Sequence, residues 1–174
     1  MLERLLVAGS GGQGIILTGK MLANLALDKT PHITFFPAYG AEVRGGTSNC
    51  QVVFSGAEIG SPVCDRFDSM IIMNQASLEK FISKALPESL VVINSSLCNA
   101  PSSHEVVKTP ATDIANEMGN IKVANFVMLG AYLSRRPIIQ PSAVIERTRE
   151  MLAGKPGEIV DLNLKAFQAG LETV

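Results

Sequence analysis

The sequence has no tryptophan, two tyrosines, three cysteines and two histidines in 174 residues, and each scarcity closes off a class of function. Cys50, Cys64 and Cys98 are odd in number and widely spaced. Neither a disulfide framework nor a C-x-x-C metal or cluster motif is therefore present, and the three read as buried or half-buried free thiols. His32 and His104 lack partners at metal-ligand spacing, so no metal site is assigned. Charge is sparse: 15 basic side chains stand against 16 acidic ones, for a formal net charge of −1. That removes the basic footprint of a nucleic-acid binder. No apolar run approaches the ~18 residues of a membrane span. The opening MLERLLVAG sets an acid beside a base and lacks the tripartite layout of a signal peptide, so it reads as a first strand and the expected location is cytoplasmic. Catalytic signatures are missing too. There is no G-x-S-x-G, no H-E-x-x-H, no nucleophile beside a histidine, and no thiamine-diphosphate fingerprint of G-D-G followed by paired asparagines. No residue is assigned a catalytic role.

What the chain does have is apolar surface, at 47% of residues, and a length suited to one domain over 1–174. Short apolar runs bounded by turn residues predict strands over 4–9, 32–40, 49–56, 69–74, 89–96 and 104–110. Several are continuously apolar, as in a sheet covered on both faces. Helical patterns alternate with them. Ile15 to Leu27 is apolar almost all round and predicts a deeply buried helix. From Ser77, an expected cap, Leu78, Phe81, Ile82, Ala85 and Leu86 recur at helical spacing up to Pro87. Thr109 and Pro110 predict a helix start, with Gly119 beyond its end. Residues 121–137 read as a buried helix whose last turn carries Arg135 and Arg136, cations suited to a helix C-terminus. Residues 141–154 and 161–171 read as amphipathic helices with solvated charges. The stretch 40–68 breaks the alternation and predicts a hairpin or antiparallel strand. The expected fold is a three-layer α/β/α domain with a mostly parallel, mixed, Rossmann-like sheet.

Two glycine-rich stretches carry the functional signal. The first, LLVAGSGGQGIILTGKMLA, places Gly9, Gly11, Gly12 and Gly14 between an apolar strand and a helix. Such a loop can bring backbone N–H groups close to a phosphate or carboxylate, and Gln13 adds a side-chain amide for a ligand or a neighbouring loop. A dinucleotide is disfavoured, because the second strand ends in Phe36, Pro37 and Tyr39 rather than in an acid for the ribose. No G-x-x-x-x-G-K-[ST] is present either, since Lys20 follows Gly19. A site for another phosphate-bearing ligand and a loop built for packing or subunit contact both stay open. Asn125, inside an apolar helix, is a candidate to bond the glycine loop or to be a satisfied core group.

The second, PAYGAEVRGGTSNCQVVFSGAEIGSPVCD, combines Tyr39, Glu42 and Arg44 with Gly45, Gly46, Thr47 and Ser48. Arg44 offers a planar fork of donors to a carboxylate or phosphate, or else fixes a tight turn through Glu42 or a carbonyl. At the end of the second strand, this group is expected beside the first glycine loop, where open α/β sheets bind ligands.

Taken in order, GSGGQGIILTGKMLA, FFPAYGAEVRGGTSNCQVVFS, EIGSPVCDRFDSMIIMNQASLEKF and VANFVMLGAYL resemble the gamma subunit of 2-oxoacid:ferredoxin oxidoreductases, from Leu5 to about Leu133. The YGAEVRGGTSNC version is most similar to the 2-oxoglutarate type, with pyruvate and branched-chain types open. The resemblance implies a complex that oxidatively decarboxylates a 2-oxoacid to an acyl-coenzyme A and reduces ferredoxin. It implies thiamine diphosphate, magnesium and iron–sulfur clusters in other chains and none in this one. The partners it implies are catalytic alpha and beta subunits and a ferredoxin-like delta subunit, with a homodimer as a substitute when the chain is isolated. On this resemblance the chain is an inactive scaffold that helps to hold coenzyme A. The binding residues would be Gly9, Gly11, Gly12, Gln13, Gly14, Tyr39, Glu42, Arg44, Gly45, Gly46 and Thr47. The alternative is a free-standing nucleotide or coenzyme A binding module.

Overall fold

The computed structural model describes residues 2–39 and 47–173; residues 40–46 and the Tyr39 side chain lie outside that description. One six-stranded sheet runs in the order β2–β3–β1–β4–β5–β6. Its strands are β1 (Leu2–Ser10), β2 (His32–Tyr39), β3 (Thr47–Ser55), β4 (Phe67–Ile72), β5 (Ala85–Asn94) and β6 (Val107–Thr109). β1, β4, β5 and β6 pair in parallel. β3 is antiparallel to both β1 and β2, which makes the sheet mixed, as the irregular stretch 40–68 predicts.

The helices are α1 (Ile15–Ala26), α2 (Gln75–Phe81), α3 (Ala111–Glu117), α4 (Ala124–Arg135), α5 (Pro141–Met151) and α6 (Gly157–Glu172). In β1, Leu5, Leu6, Val7 and Ala8 are all essentially buried. Successive strand side chains point to opposite faces, so this continuous apolar run feeds two cores. Leu5 and Val7 join Leu22 of α1 and Phe126 of α4 on one face. Leu6 and Ala8 join Leu78 and Phe81 of α2 on the other. The layering is unequal: α1 and α3–α6 supply the first core, whereas α2 is the helix of the second.

Four local expectations change. The N-cap of α2 is Asn74, whose side chain accepts a hydrogen bond from Ser77 N–H; Ser77 itself is fully buried. The helix does not run on to Leu86. After a single 3-10 turn at Ile82–Lys84 the chain enters β5. Pro87 sits there in an exposed register irregularity between the Phe67–Ala85 and Ser69–Leu90 pairs, where its missing N–H costs no ladder bond. Pro110 occupies the N-cap of α3 with Thr109 still in β6, and Gly119 follows the helix with a φ of +80°. A 3-10 turn at Ile121–Val123 precedes α4, so the buried helix begins at Ala124.

Candidate functional site

The first glycine stretch closes the carboxyl end of β1. Gln13 N–H donates to Ser10 O at 3.2 Å, and Gly12 has a φ of +87°. Ser10-Gly11-Gly12-Gln13 is therefore a type II turn, which needs positive φ at its third residue. Gly14, with a φ of +74°, then caps α1, and its carbonyl accepts both Thr18 N–H at 2.9 Å and Thr18 Oγ1 at 3.0 Å.

The glycines do different work. A Cβ at Gly9 would lie 2.8 Å from Met73 Cβ and 2.7 Å from Ile15 Cδ1, and one at Gly14 would lie 2.5 Å from Asn125 Nδ2. These two are packing residues. Asn125, buried in α4, donates to Thr18 Oγ1 at 3.4 Å and packs on Gly14; its partner is thus a core hydroxyl and not the loop backbone. Gly11 and Gly12 are exposed, with nothing within 4 Å of an added Cβ. Among the described residues, no hydrogen bond occupies their N–H groups. They are the part of the motif that faces outward.

Gln13 is committed to the fold. Its Oε1 accepts from Ser10 N–H at 2.7 Å and from Asn74 Nδ2 at 3.4 Å, while its Nε2 reaches Met73 O at 3.5 Å. The side chain bridges the ends of β1 and β4, so its amide is not a spare ligand group. Asn74 also donates to Ser10 Oγ. One strand further on, Asn94 Nδ2 donates to Met73 O at 3.2 Å and to Thr112 Oγ1 at 2.8 Å. The carboxyl edge of the sheet is thereby tied together by three side-chain amides.

The second stretch meets this edge through β3. Ser10 pairs with Thr47, and Ser48 pairs with Tyr39 on its other side. The end of β2 is not directly beside the first loop as the sequence predicts, because β3 lies between them. Strands are ~4.8 Å apart, so Tyr39 stands about 10 Å out from β1. A dinucleotide site places the ribose acid on the strand next to the glycine loop. The topology removes that position as well as the acid. Glu42, Arg44, Gly45 and Gly46 lie outside the described residues. Thr47 is half-buried and accepts a hydrogen bond from Lys80 Nζ at 2.8 Å. Lys80 also stands 5.5 Å from the centroid of the Phe81 ring.

Beside the first loop, a cavity of about 110 Å³ is lined by Gly12, Gln13, Met73, Leu97, Thr112 and Ile121. Ordinary ligand pockets hold ~300–1,000 Å³, so this one admits a single small group and not a cofactor. Leu97 and Ile121 on its border are exposed.

The cysteines do not suit an iron–sulfur cluster. Cys50 packs in one core and Cys98 in the other, on opposite sides of the sheet. Burial pushes the Cys50 thiol up to about 12 and the Cys98 thiol up to about 11, against the thiolate that a cluster needs. Among the described residues no group of three His, Cys, Asp or Glu side chains converges, and no helix is long and apolar enough to cross a membrane.

Sequence reasoning missed Asn74, Lys80 and Asn94. Asn74 had a signal, since Asn before a helical run is a common N-cap. Lys80 had none, because its partner is 33 residues away.

The described residues form a mixed α/β sheet with an open glycine turn at its carboxyl edge and with Cys50 and Cys98 buried in separate cores. The chain belongs to the pyruvate ferredoxin/flavodoxin oxidoreductase family, whose model matches residues 4–173. It is 35% identical over 171 residues to ketoisovalerate oxidoreductase subunit VorA of Methanothermobacter thermautotrophicus. That match covers 97% of this chain and 36% of the relative, so the chain spans about a third of that protein's length. The gamma subunit of a keto/oxoacid ferredoxin oxidoreductase from Geobacter sulfurreducens has the same fold, with a TM-score of 0.81, 27% identity and coverage of 98% and 97% of the two chains. The 2-oxoglutarate:ferredoxin oxidoreductase of Magnetococcus marinus, solved with 2-oxoglutarate, coenzyme A and succinyl-CoA bound, matches with a TM-score of 0.87 and 26% identity. There the match covers 99% of this chain and 31% of the other. A free-standing nucleotide-binding module is not favoured by these likenesses.

Proposed function

We propose that this chain is the gamma-type subunit of a complex that converts a 2-oxoacid to an acyl-coenzyme A with reduction of ferredoxin. On this reading it packs against catalytic alpha and beta subunits and a ferredoxin-like delta subunit, and it does no redox chemistry itself. The single observation that supports it is the carboxyl edge, where the open Gly11–Gly12 turn and the base of the second glycine-rich stretch are neighbours through the Ser10–Thr47 pair. Exposed N–H groups at the start of a helix with no acid in its first turn favour an anion, and coenzyme A carries phosphates. The Magnetococcus relative is described with coenzyme A bound, in keeping with that choice.

Within the reading, Gly11, Gly12, Arg44, Gly45, Gly46 and Thr47 face the ligand or partner. Gly9, Gln13 and Gly14 shape the loop that presents Gly11 and Gly12, and Tyr39 and Glu42 are assigned to the same binding set as Arg44. Thiamine diphosphate, magnesium and the clusters reside in the partner chains. The substrate is a 2-oxoacid, with the 2-oxoglutarate type favoured and the pyruvate and branched-chain types as alternatives.

Tagged chain captured gently from its source, then examined by native mass spectrometry, tests this. The expected result is a complex with thiamine- and cluster-bearing chains, whose ferredoxin reduction requires coenzyme A and one of 2-oxoglutarate, ketoisovalerate or pyruvate. The chain alone should be colourless and inactive. A partner-free monomer, or turnover by the isolated chain, overturns the proposal.

A further inference from the structure

α2 touches both glycine-rich stretches. At its start, Asn74 uses every polar atom of its side chain: Oδ1 accepts from Ser77 N–H at 2.9 Å, and Nδ2 donates to Ser10 Oγ and, at 3.4 Å, to Gln13 Oε1. Near its end, Lys80 reaches Thr47 Oγ1 at 2.8 Å. One seven-residue helix thus grips the first loop with one end and the base of the second with the other. Ser77, Leu78 and Phe81 are buried, which fixes the helix to the sheet as a rigid piece. Its base is secured in turn, because Asn94 holds the Met73 carbonyl directly before Asn74.

We infer that α2 is a yoke that sets the placement of the first glycine turn relative to Thr47, the described base of the second stretch, with Asn74 and Lys80 as positioning residues. The inference rests on the reading that both stretches meet coenzyme A or a partner subunit. The β1–β3 ladder fixes the backbone only as far as Ser10 and Thr47. Beyond that pair, Asn74 orients the turn through Ser10 and Gln13, and Lys80 orients the Thr47 hydroxyl. The Lys80–Thr47 bond is exposed and adds little stability of the kind that exposed polar pairs contribute. Its effect is on where the second stretch enters β3.

Asn74→Asp separates the two duties of Asn74. Asp keeps the acceptor that caps α2 but sets a carboxylate against Gln13 Oε1 in place of a donor. Lys80→Met removes the grip on Thr47, and Lys80→Arg restores a donor. In the assembled complex, Asn74→Asp and Lys80→Met should each raise KM for coenzyme A about three- to tenfold, the scale of one lost hydrogen bond, with kcat changed less than about twofold. Because one element is disturbed in both, the double variant should raise KM by less than the product of the singles. Lys80→Arg should recover most of the loss. In the isolated chain, amide hydrogen exchange at Ser10 and Gln13, whose N–H groups are hydrogen-bonded within the turn, should speed up in Asn74→Asp while exchange within α2 does not.

Unchanged exchange at Ser10 and Gln13, or a double variant that simply multiplies the singles, overturns the yoke. Faster exchange with unaltered KM for coenzyme A and unaltered subunit assembly upholds the yoke and overturns the reading of the edge as a binding rim.

Discussion

At the scale of single residues, the glycine motif separates into structural and outward-facing positions. Gly14 combines left-handed backbone with contact against Asn125. An L residue there meets ~1–2 kcal/mol of backbone strain and about 1–3 kcal/mol of overpacking. Gly14→Ala should therefore destabilise the fold by about 2–5 kcal/mol. Gly11→Ala adds a methyl group to open space, at a backbone angle that other residues tolerate, and should fall within about 0.5 kcal/mol of the native protein. Urea unfolding of both variants checks this; equal losses would show that the loop is not divided as described. The spacing G-x-G-x-x-G is visible in the sequence, but this division is not. It depends on Asn125 and Met73, which arrive from distant parts of the chain. Gln13 has two readings in sequence, a ligand or a neighbouring loop, and in three dimensions its amide bridges two strand ends.

At the scale of elements, the six strands and most helices were legible because their apolar periods match their burial. β1 and α1 are the clearest cases. What was not legible was neighbourhood. Nothing in the run 47–55 says that it enters the sheet between β1 and β2, and that insertion decides against a dinucleotide site. The α2 boundary was misplaced for a related reason. Ala85 and Leu86 continue a helical apolar spacing, yet their backbone joins the ladder beside Phe67. The pairing of α4 with α6 was also invisible, though its cause is local. A Cβ on Gly170 would stand 2.0 Å from Val127 O, and one on Gly130 would stand 2.2 Å from Phe167 O. The two helices touch backbone to backbone at these glycines. The obstructing atoms are main chain and cannot rotate away, so relief requires the helices to part. Gly170→Ala should cost about 1–3 kcal/mol, although alanine favours an isolated helix by about 1 kcal/mol over glycine. A melting temperature equal to or above the native one would remove the close crossing as a source of stability.

At the scale of the whole molecule, the two ends of the sheet are built differently. The carboxyl edge has glycines, amides and exposed N–H groups. The amino edge is an ionic clasp that sequence reading reduced to ordinary helix-end charges. Glu3, 5% exposed at the start of β1, accepts hydrogen bonds from Ser69 Oγ and from Tyr132 Oη at 3.3 Å, and lies 3.4 Å from Arg136 Nε. Arg136 is therefore tied to β1 as well as placed after α4. Burial, with Glu3 nearby, pushes the Tyr132 phenol well above its ordinary range and keeps it a donor. Beside them, Arg4 grips Asp68 through Nε at 2.8 Å and Nη2 at 3.1 Å, while its backbone N–H binds the same carboxylate at 2.9 Å. Partial burial works against the charged Asp68, but the Arg4 hydrogen bonds outweigh it and hold its pKa below the usual range. A lowered carboxylate pKa stabilises the fold fully above the unfolded value of ~3.9, and that contribution disappears as pH falls through the lower folded value. The pair is part-exposed, so its worth is about 1 kcal/mol, or ~2–4 °C for a chain of this size. The melting temperature of Asp68→Asn should accordingly trail the native protein by a few degrees from about pH 5 to pH 8, and the gap should close as pH falls below about 4. A gap that stays constant down to pH 3 would show that charge on Asp68 does not hold the clasp. Because the clasp stands at the end of the sheet opposite the glycine loops, the same variant at neutral pH should assemble with partner chains as the native protein does. Loss of assembly in a folded Asp68→Asn chain would move the docking surface to the amino edge.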